Sequence, residues 1–272
     1  MSAVAQRIPP LERTGRLTQA RVFVSEWTKL RSVRSTKWAL AAAFVLSIGL
    51  PALAAAIVAH HWPHMDPRDR ADFNPLDISI VGVQIAQLAI GVLGVLVITA
   101  EYSTGMIRAS MTAVPRRLPV LWGKTTVYAL VTIVLMTPAI LIAFFVSQAI
   151  LSRRDIDVAF TAAGVPRVVL GAGLYLVVIG LFGLGLGAIV RNTAGGIALF
   201  AGLLFVLPPL MNVLPASWNA SASPYVPLQA GQALLRLHQG DQLAPWTGFA
   251  VLCGYTAAAI GIAALLLRRR DV

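Results

Sequence analysis

Residues 168–190 read VVLGAGLYLVVIGLFGLGLGAIV, an apolar stretch of 23 residues without one charged side chain. An α-helix needs about 20 apolar residues to cross the roughly 30 Å of hydrocarbon in a bilayer. Within that hydrocarbon every backbone N–H and C=O group needs a partner, and an α-helix supplies them all internally. The stretch therefore predicts a membrane-spanning helix.

Five further stretches of the chain meet the same test. Each is 21 to 27 residues long and contains no Lys, Arg, Asp, Glu or His. None alternates polar and apolar residues with a period of two, which argues against the strands of a β-barrel. We therefore expect an all-α polytopic membrane protein. Its six transmembrane helices are predicted at residues 38–59, 78–100, 125–151, 168–190, 194–214 and 246–267.

The composition supports a membrane protein. Of the 272 residues, 57% are hydrophobic and 12% are charged, whereas soluble domains average about 45–50% and about 25%. This excludes a disordered chain or a disulfide scaffold and argues against a water-soluble enzyme. We expect one six-helix transmembrane domain over residues 38–267, preceded by the segment 1–37 and followed by a short tail, 268–272.

The distribution of Lys and Arg predicts the orientation in the membrane. If six helices are threaded, sixteen of these residues fall on the side that holds both termini and six on the other side. Cytoplasmic loops carry the excess of Lys and Arg, so we predict cytoplasmic termini in a cell membrane. The formal net charge of +11 is then a topology signal and a contact with anionic lipid, and we expect no nucleic-acid partner.

The segment before the first span has the pattern of an amphipathic helix. Residues 17–35 read LTQARVFVSEWTKLRSVRS. Aromatic and aliphatic residues opposite basic ones are typical of a helix in the membrane interface; the alternative is a solvated tether whose charges only set the topology. The apolar face comprises Ala20, Phe23, Trp27 and Leu30, and the other face carries Lys29, Arg31 and Arg34 among others.

The loop after the second span, residues 101–124, reads EYSTGMIRASMTAVPRRLPVLWGK. Ser103 or Thr104 can cap the start of a helix, and Pro115 stops it. The helix between them has an apolar stripe that either docks into a partner protein or packs on the chain's own surface. The stripe comprises Ile107, Met111 and Val114.

Both cytoplasmic segments carry a family resemblance. The runs SEWTKLRSVRSTKW and EYSTGMIRASMTAVPRRLPVLWGK resemble the membrane subunits of type-2 ABC exporters, in particular actinobacterial-style permeases that open with an E-W-T-K-L-R-S element. The resemblance implies a connecting helix at about residues 17–35 and a coupling helix at about 102–115. It also implies short re-entrant helices before the sixth span, within residues 215–245. The loop positions that match the family pattern are Glu101, Gly105, Arg108, Pro115, Arg116, Arg117 and Lys124.

The function that this resemblance implies is the permease subunit of an ATP-driven exporter, paired with a second permease subunit. A separate ATP-binding subunit would dock on Met106, Ile107, Met111 and Val114, with Arg108, Arg116 and Arg117 at the rim of the contact. We further expect Glu101 to pair with a basic residue of the 17–35 helix, such as Arg31 or Arg34. A membrane scaffold or accessory subunit that transports nothing is the alternative.

We expect neither an enzyme nor a bound cofactor, so ATP and Mg²⁺ belong to the partner subunit. The triplet Gly123-Lys124-Thr125 resembles the end of a phosphate-binding loop, but Leu118 stands where that motif needs a glycine. Lys124 is therefore interpreted as an anchor at the membrane interface. We also predict no metal site in the segment HHWPHMD (60–66), since membrane boundaries commonly collect Trp and His.

A few polar residues interrupt the predicted spans. Gln84, Gln87 and Asn212 either hydrogen-bond between helices or line a translocation path. Residues 168–190 also contain six glycines, which predict close packing against another helix of this chain or of a second copy.

Overall fold

A computed structural model describes residues 19–103, 118–213, 215–237 and 243–269, and no described residue lies in a β-strand. The chain is a succession of helices joined by short connections. In chain order they are α1 (Gln19–Ser32), α2 (Arg34–His61), α3 (Pro67–Ala71), α4 (Pro75–Ser103), α5 (Leu118–Leu151), α6 (Val165–Val190), α7 (Thr193–Ala201), α8 (Leu207–Met211), α9 (Ala216–Ala222), α10 (Pro227–Gln232) and α11 (Pro245–Arg269).

Six helical segments of the described chain are long and apolar enough to cross a membrane, which confirms the all-α polytopic prediction. Each contains nearly all of one predicted apolar run. The segments are Arg34–His64, Pro75–Ser103, Leu118–Arg154, Val165–Val190, Thr193–Met211 and Pro245–Arg269. The protein is therefore a multi-pass membrane protein.

Two predicted boundaries were wrong. The loop at 101–124 is shorter than predicted, because α4 continues to Ser103 and α5 already begins at Leu118. The fifth span ends at Met211 and contains a π-helical turn at Gly202–Val206. That turn precedes the Pro208-Pro209 pair, whose missing N–H groups interrupt the regular hydrogen-bond ladder.

The fourth span, α6, is the central helix of the bundle. Its most apolar stretch is 67% buried, against 22% for the first span, and it packs against α4, α5, α7 and α11. Glycines make this possible: a Cβ atom on Gly94 would overlap the carbonyl oxygen of Gly180, and one on Gly183 would overlap that of Gly91. The close packing predicted from the glycine pattern thus occurs within the chain, between α4 and α6.

Short helices occupy the segment before the sixth span, as the family resemblance implies. The second of them, α10, packs against α11, and a Cβ atom on Gly231 would meet the ring of Tyr175 in α6. Re-entry of these helices into the membrane stays a prediction.

The glycine contacts can be tested by a matched pair of alanine substitutions. Gly94→Ala should destabilise the protein by about 1–3 kcal/mol, because the new methyl group can only be accommodated if two backbones separate. Gly261→Ala in α11 has open space around the new Cβ and should cost nothing, because alanine favours a helix by up to about 1 kcal/mol over glycine. Thermal unfolding in detergent measures both, and equal midpoints would contradict the proposed α4–α6 packing.

Candidate functional site

The first helix, α1, lies against the end of α4 and the start of α5. Val22 and Glu26 are its buried residues, and Val22 fills the space that the absent side chain of Gly123 leaves open. Phe23 and Leu30 pack partly buried on the core. Trp27, predicted on the same apolar face, is 50% exposed, so the buried face of α1 is centred on Glu26.

Four charged side chains meet beneath α1, and we call them the charge cluster: Glu26, Lys29, Glu101 and Lys124. The Lys124 ammonium donates to Glu26 Oε2 at 2.8 Å and to Glu101 Oε1 at 2.9 Å. It also donates to the carbonyl oxygen of Val97 at 3.3 Å. The Lys29 ammonium donates to Glu26 Oε1 at 2.7 Å and to Glu101 Oε1 at 3.0 Å. The cluster joins α1, α4 and α5.

The charge cluster is buried, and its ion pairs are what make that burial possible. Glu26 and Lys124 are each 4% exposed and Glu101 is 5% exposed. An isolated charge in such a position costs several kcal/mol, and removing one partner of a buried pair leaves the other uncompensated. The formal charges of the two carboxylates and the two ammonium groups cancel, so the cluster is neutral as a whole.

Lys29 remains charged at neutral pH. Burial lowers the pKa of Lys29, but the hydrogen bonds and charges of Glu26 and Glu101 outweigh it and raise the pKa above its ordinary value. The ammonium form is therefore the one that the cluster holds.

The predicted pairing of Glu101 with a basic residue of the 17–35 helix is confirmed. The residue is Lys29 rather than the examples Arg31 and Arg34, both of which are exposed. Lys29 lies on the side of α1 that faces Glu26 and α4, whereas Arg31 is about 200° further round the helix. Lys124 is not an anchor at the membrane interface, because α1 covers it and two carboxylates bind it.

The end of α4 makes further contacts on its other sides. The Arg191 guanidinium lies 5.4 Å from the centre of the Tyr102 ring and donates to the Leu266 carbonyl oxygen in α11 at 3.3 Å. Thr193, at the start of α7, donates to Thr99 at 3.0 Å. All these contacts lie at one end of the bundle, which we call the α1 end. The end of α4 therefore touches α1, α5 and the junction between α6 and α7, and Arg191 in that junction contacts α11.

Arg191 reaches this position because the backbone turns sharply there. It has a positive φ of 58° and ends α6 with its N–H bonded to the Gly187 carbonyl oxygen. Asn192 then caps α7 by accepting the N–H of Gly195 at 2.9 Å. The turn at Arg191 and Asn192 reverses the direction of the chain and places the Arg191 side chain next to Tyr102.

The predicted apolar dock lies outside the described residues. This applies to Gly105, Met106, Ile107, Arg108, Met111, Val114, Pro115, Arg116 and Arg117. Both flanks are described, however: Glu101 lies two residues before the end of α4, and Lys124 lies in the second turn of α5. The charge cluster therefore ties together the two helices that the segment 104–117 connects.

The glutamines of the second span form hydrogen bonds between helices. Gln87 accepts the hydroxyl of Tyr175 in α6 and donates to Gln84 at 3.0 Å. Gln232, at the end of α10, donates to the same oxygen of Gln84 at 3.0 Å. Of the two open interpretations, the structure favours the bond between helices.

Asn212 does not lie inside a span. It follows the end of α8, is exposed, and accepts a hydrogen bond from Asn219 at 3.3 Å. The fifth span ends at Met211, one residue before Asn212. The predicted location of Asn212 inside the fifth span was therefore wrong, while its role in a pathway or between helices stays a prediction.

Over the described ranges, no three His, Cys, Asp or Glu side chains converge as a metal site would require. His61, in the histidine-rich segment, hydrogen-bonds the Ile57 carbonyl oxygen of its own helix.

No model of a known protein family matches the sequence, and comparison with the curated proteins gives no match either.

The two lysines of the charge cluster should contribute unequally to stability. Lys124→Met leaves two buried carboxylates with the partly exposed Lys29 as their one remaining partner within the cluster and should cost about 3–5 kcal/mol. Lys29→Met should cost about 1 kcal/mol or less, because the Lys29 side chain is 27% exposed and water can replace it. Unfolding of the two purified variants in detergent measures this order, and a small, equal loss for both would contradict the buried pairing.

Proposed function

We propose that this chain is the membrane permease subunit of an ATP-driven exporter, in which the α1 end faces the cytoplasm of a cell. The observation that carries the proposal is the charge cluster, because it fastens α1 to both helices that flank the segment 104–117. The resemblance of that segment and of the E-W-T-K-L-R-S element to type-2 ABC exporters supplies the family context.

The orientation follows from the distribution of basic residues. Both termini and the 104–117 segment carry the excess of Lys and Arg that cytoplasmic segments have. With the α1 end in the cytoplasm, the segment is available to a soluble ATP-binding subunit, which supplies the nucleotide and Mg²⁺. The proposed contact is the apolar stripe of Ile107, Met111 and Val114.

The charge cluster suggests how a displacement of the segment 104–117 would be transmitted to the membrane helices. Ion pairs under α1 make α1, the end of α4 and the start of α5 move together. Tyr102 and Thr99 extend the connection to Arg191 and Thr193, and the glycine contacts extend it along α4 to α6. Closure of the ATP-binding subunits would then bias the bundle between two arrangements, as in other rigid-body transitions.

A second permease subunit completes the proposed transporter. The first span is mostly unburied within this chain, and its exposed side chains include Trp38, Val45, Leu53 and Ile57. Lipid or a second subunit can cover such a face, and the proposed exporter uses one copy or one homologous subunit on each side of a central path.

The docking contact is tested by paired acidic substitutions. Ile107→Asp combined with Met111→Asp should abolish co-purification with the proposed ATP-binding subunit, because two carboxylates cannot enter an apolar groove unpaired. The control pair, Ala71→Asp with Ala163→Asp, changes exposed positions at the opposite end of the bundle and should not affect it. Membrane insertion, measured by fractionation, should be the same for all. Unchanged co-purification of the first pair would reject the dock.

Weakening the charge cluster should reduce the stimulation of ATP hydrolysis without preventing the ATPase from binding. Glu26→Gln keeps the side-chain shape but removes one charge, so the ATPase should still co-purify while its stimulation by this chain in lipid falls. The measurement is ATP hydrolysis by the reconstituted pair at equal subunit ratio. An ATPase that binds but is never stimulated, even by the unmodified chain, would favour the non-transporting scaffold.

A further inference from the structure

A cavity of about 300 Å³ lies beside the charge cluster, enclosed by α1, the start of α2, α4 and α5. Its wall is mostly aliphatic and includes the four side chains of the charge cluster. This volume is at the lower end of the range for small-molecule sites. The aliphatic lining comprises Leu30, Val33, Leu93, Leu96, Val97 and Val127. The polar lining comprises Glu26, Lys29, Ser35, Thr36, Glu101 and Lys124.

One acceptor in the cavity wall is unsatisfied. Oε2 of Glu101 is buried and has no hydrogen-bond partner among the described residues, although Oε1 of the same carboxylate accepts from two lysines. A buried acceptor without a donor costs about 1–3 kcal/mol, and more when it is charged. Glu101 lines the cavity and the last torsion of a glutamate is soft, so a donor in the cavity is the candidate partner of Oε2.

The chemistry of this acceptor selects the ligand. An ionised carboxylate can only accept hydrogen bonds, and the strongest donor to it is a charged N–H group. The four formal charges of the cluster cancel, so the specific attraction for a ligand is the hydrogen bond from its N–H group to Glu101 Oε2 rather than a net opposite charge. The cavity also lies where the apolar run of α4 gives way to Glu101, at the level of a membrane surface. A ligand there must carry an alkyl chain for the aliphatic wall and an N–H donor for the carboxylate.

We propose that this cavity binds the primary ammonium headgroup of an amphiphile, with Glu101 Oε2 as its hydrogen-bond acceptor. An ethanolamine phospholipid and a free long-chain amine both offer this chemistry. The site does not depend on the proposed transport function, since it is formed within one chain.

The binding test compares ligands that differ only in their N–H groups. The full-length chain, purified in detergent, is titrated with dodecylamine and with dodecyltrimethylammonium, which has the same charge but no N–H donor. Native mass spectrometry and thermal unfolding report binding. We expect dodecylamine to bind at least about tenfold more tightly, a difference of about 1.4 kcal/mol. Equal binding of both, or of neither, would overturn the proposal.

The two sources of the headgroup are distinguished in bilayers. The chain is reconstituted in nanodiscs of phosphatidylcholine with or without phosphatidylethanolamine, whose headgroup differs by having N–H donors. Retention of ethanolamine lipid by the solubilised protein assigns the site to a membrane lipid. If that lipid is not retained but dodecylamine still binds, the site is assigned to a free amine. If ethanolamine lipid is not retained and dodecylamine does not bind, the proposed site is contradicted.

Two tryptophan substitutions separate the cavity from general effects of the mutation. Leu96→Trp should fill the cavity and abolish the preference for dodecylamine while leaving the charge cluster intact. Leu88→Trp, on the same helix but away from the cavity and exposed, should leave the preference unchanged. Glu101→Gln places a donor where the free acceptor was and should also remove the preference. A preference that survives both Leu96→Trp and Glu101→Gln would place amine binding elsewhere.

Discussion

Burial of four charges at one end of an otherwise apolar bundle is the constraint on which the rest of the structure depends. Glu26, Glu101 and Lys124 can leave water only together, because each carboxylate needs an ammonium group and the Lys124 ammonium needs the carboxylates; the partly exposed Lys29 balances the remaining charge. Their pairing therefore fixes where α1 lies, and it sets the ends of α4 and α5 beside each other. A helix that would otherwise be free at the membrane surface becomes part of the bundle.

Away from this cluster, α4 is closely packed against α6. Close backbone contact at Gly91, Gly94, Gly180 and Gly183 joins α4 to α6, and Gln87 adds a hydrogen bond to Tyr175 between the same two helices. Small side chains and occasional amides are how membrane helices associate when both partners are as apolar as lipid. The second span is therefore held at the α1 end by charge and along its length by packing, which suits it to transmit a displacement from one end.

The number and type of the spans could be predicted from the sequence, because an uninterrupted run of about 20 apolar residues is typical of a membrane-spanning helix. The ends of the helices were harder to predict where specific residues, rather than the apolar composition, decide where a helix stops. The fifth span contains a π-helical turn before Pro208 and Pro209 and ends at Met211, which leaves Asn212 outside it. Glu101 and Lys124 ended the predicted apolar runs, yet both are helical and buried, since each neutralises the other.

The members of the charge cluster were only partly predictable. Glu101 was expected to pair with α1, but Glu26 was not considered, because it is the single acidic residue within a basic, amphipathic segment. Its spacing of four from both Val22 and Leu30 places all three on one face, and that face is the buried one. In the membrane spans the corresponding signal is a pair of charged residues. Glu101 directly follows the second apolar run, and Lys124 directly precedes the third. The predicted dock at 104–117 lies outside the described residues and stays a prediction.

The central claim, that the charge cluster holds α1 in one place, is tested most directly by a distance between spin labels on α1 and α5. Cysteines at the exposed positions Ser25 and Trp122, in a chain whose native Cys253 is replaced by serine, allow this measurement in nanodiscs. The account predicts one narrow distance distribution that broadens when Glu26 and Lys124 are both replaced by alanine. A broad distribution in the intact cluster, or a narrow one that survives its removal, would contradict it.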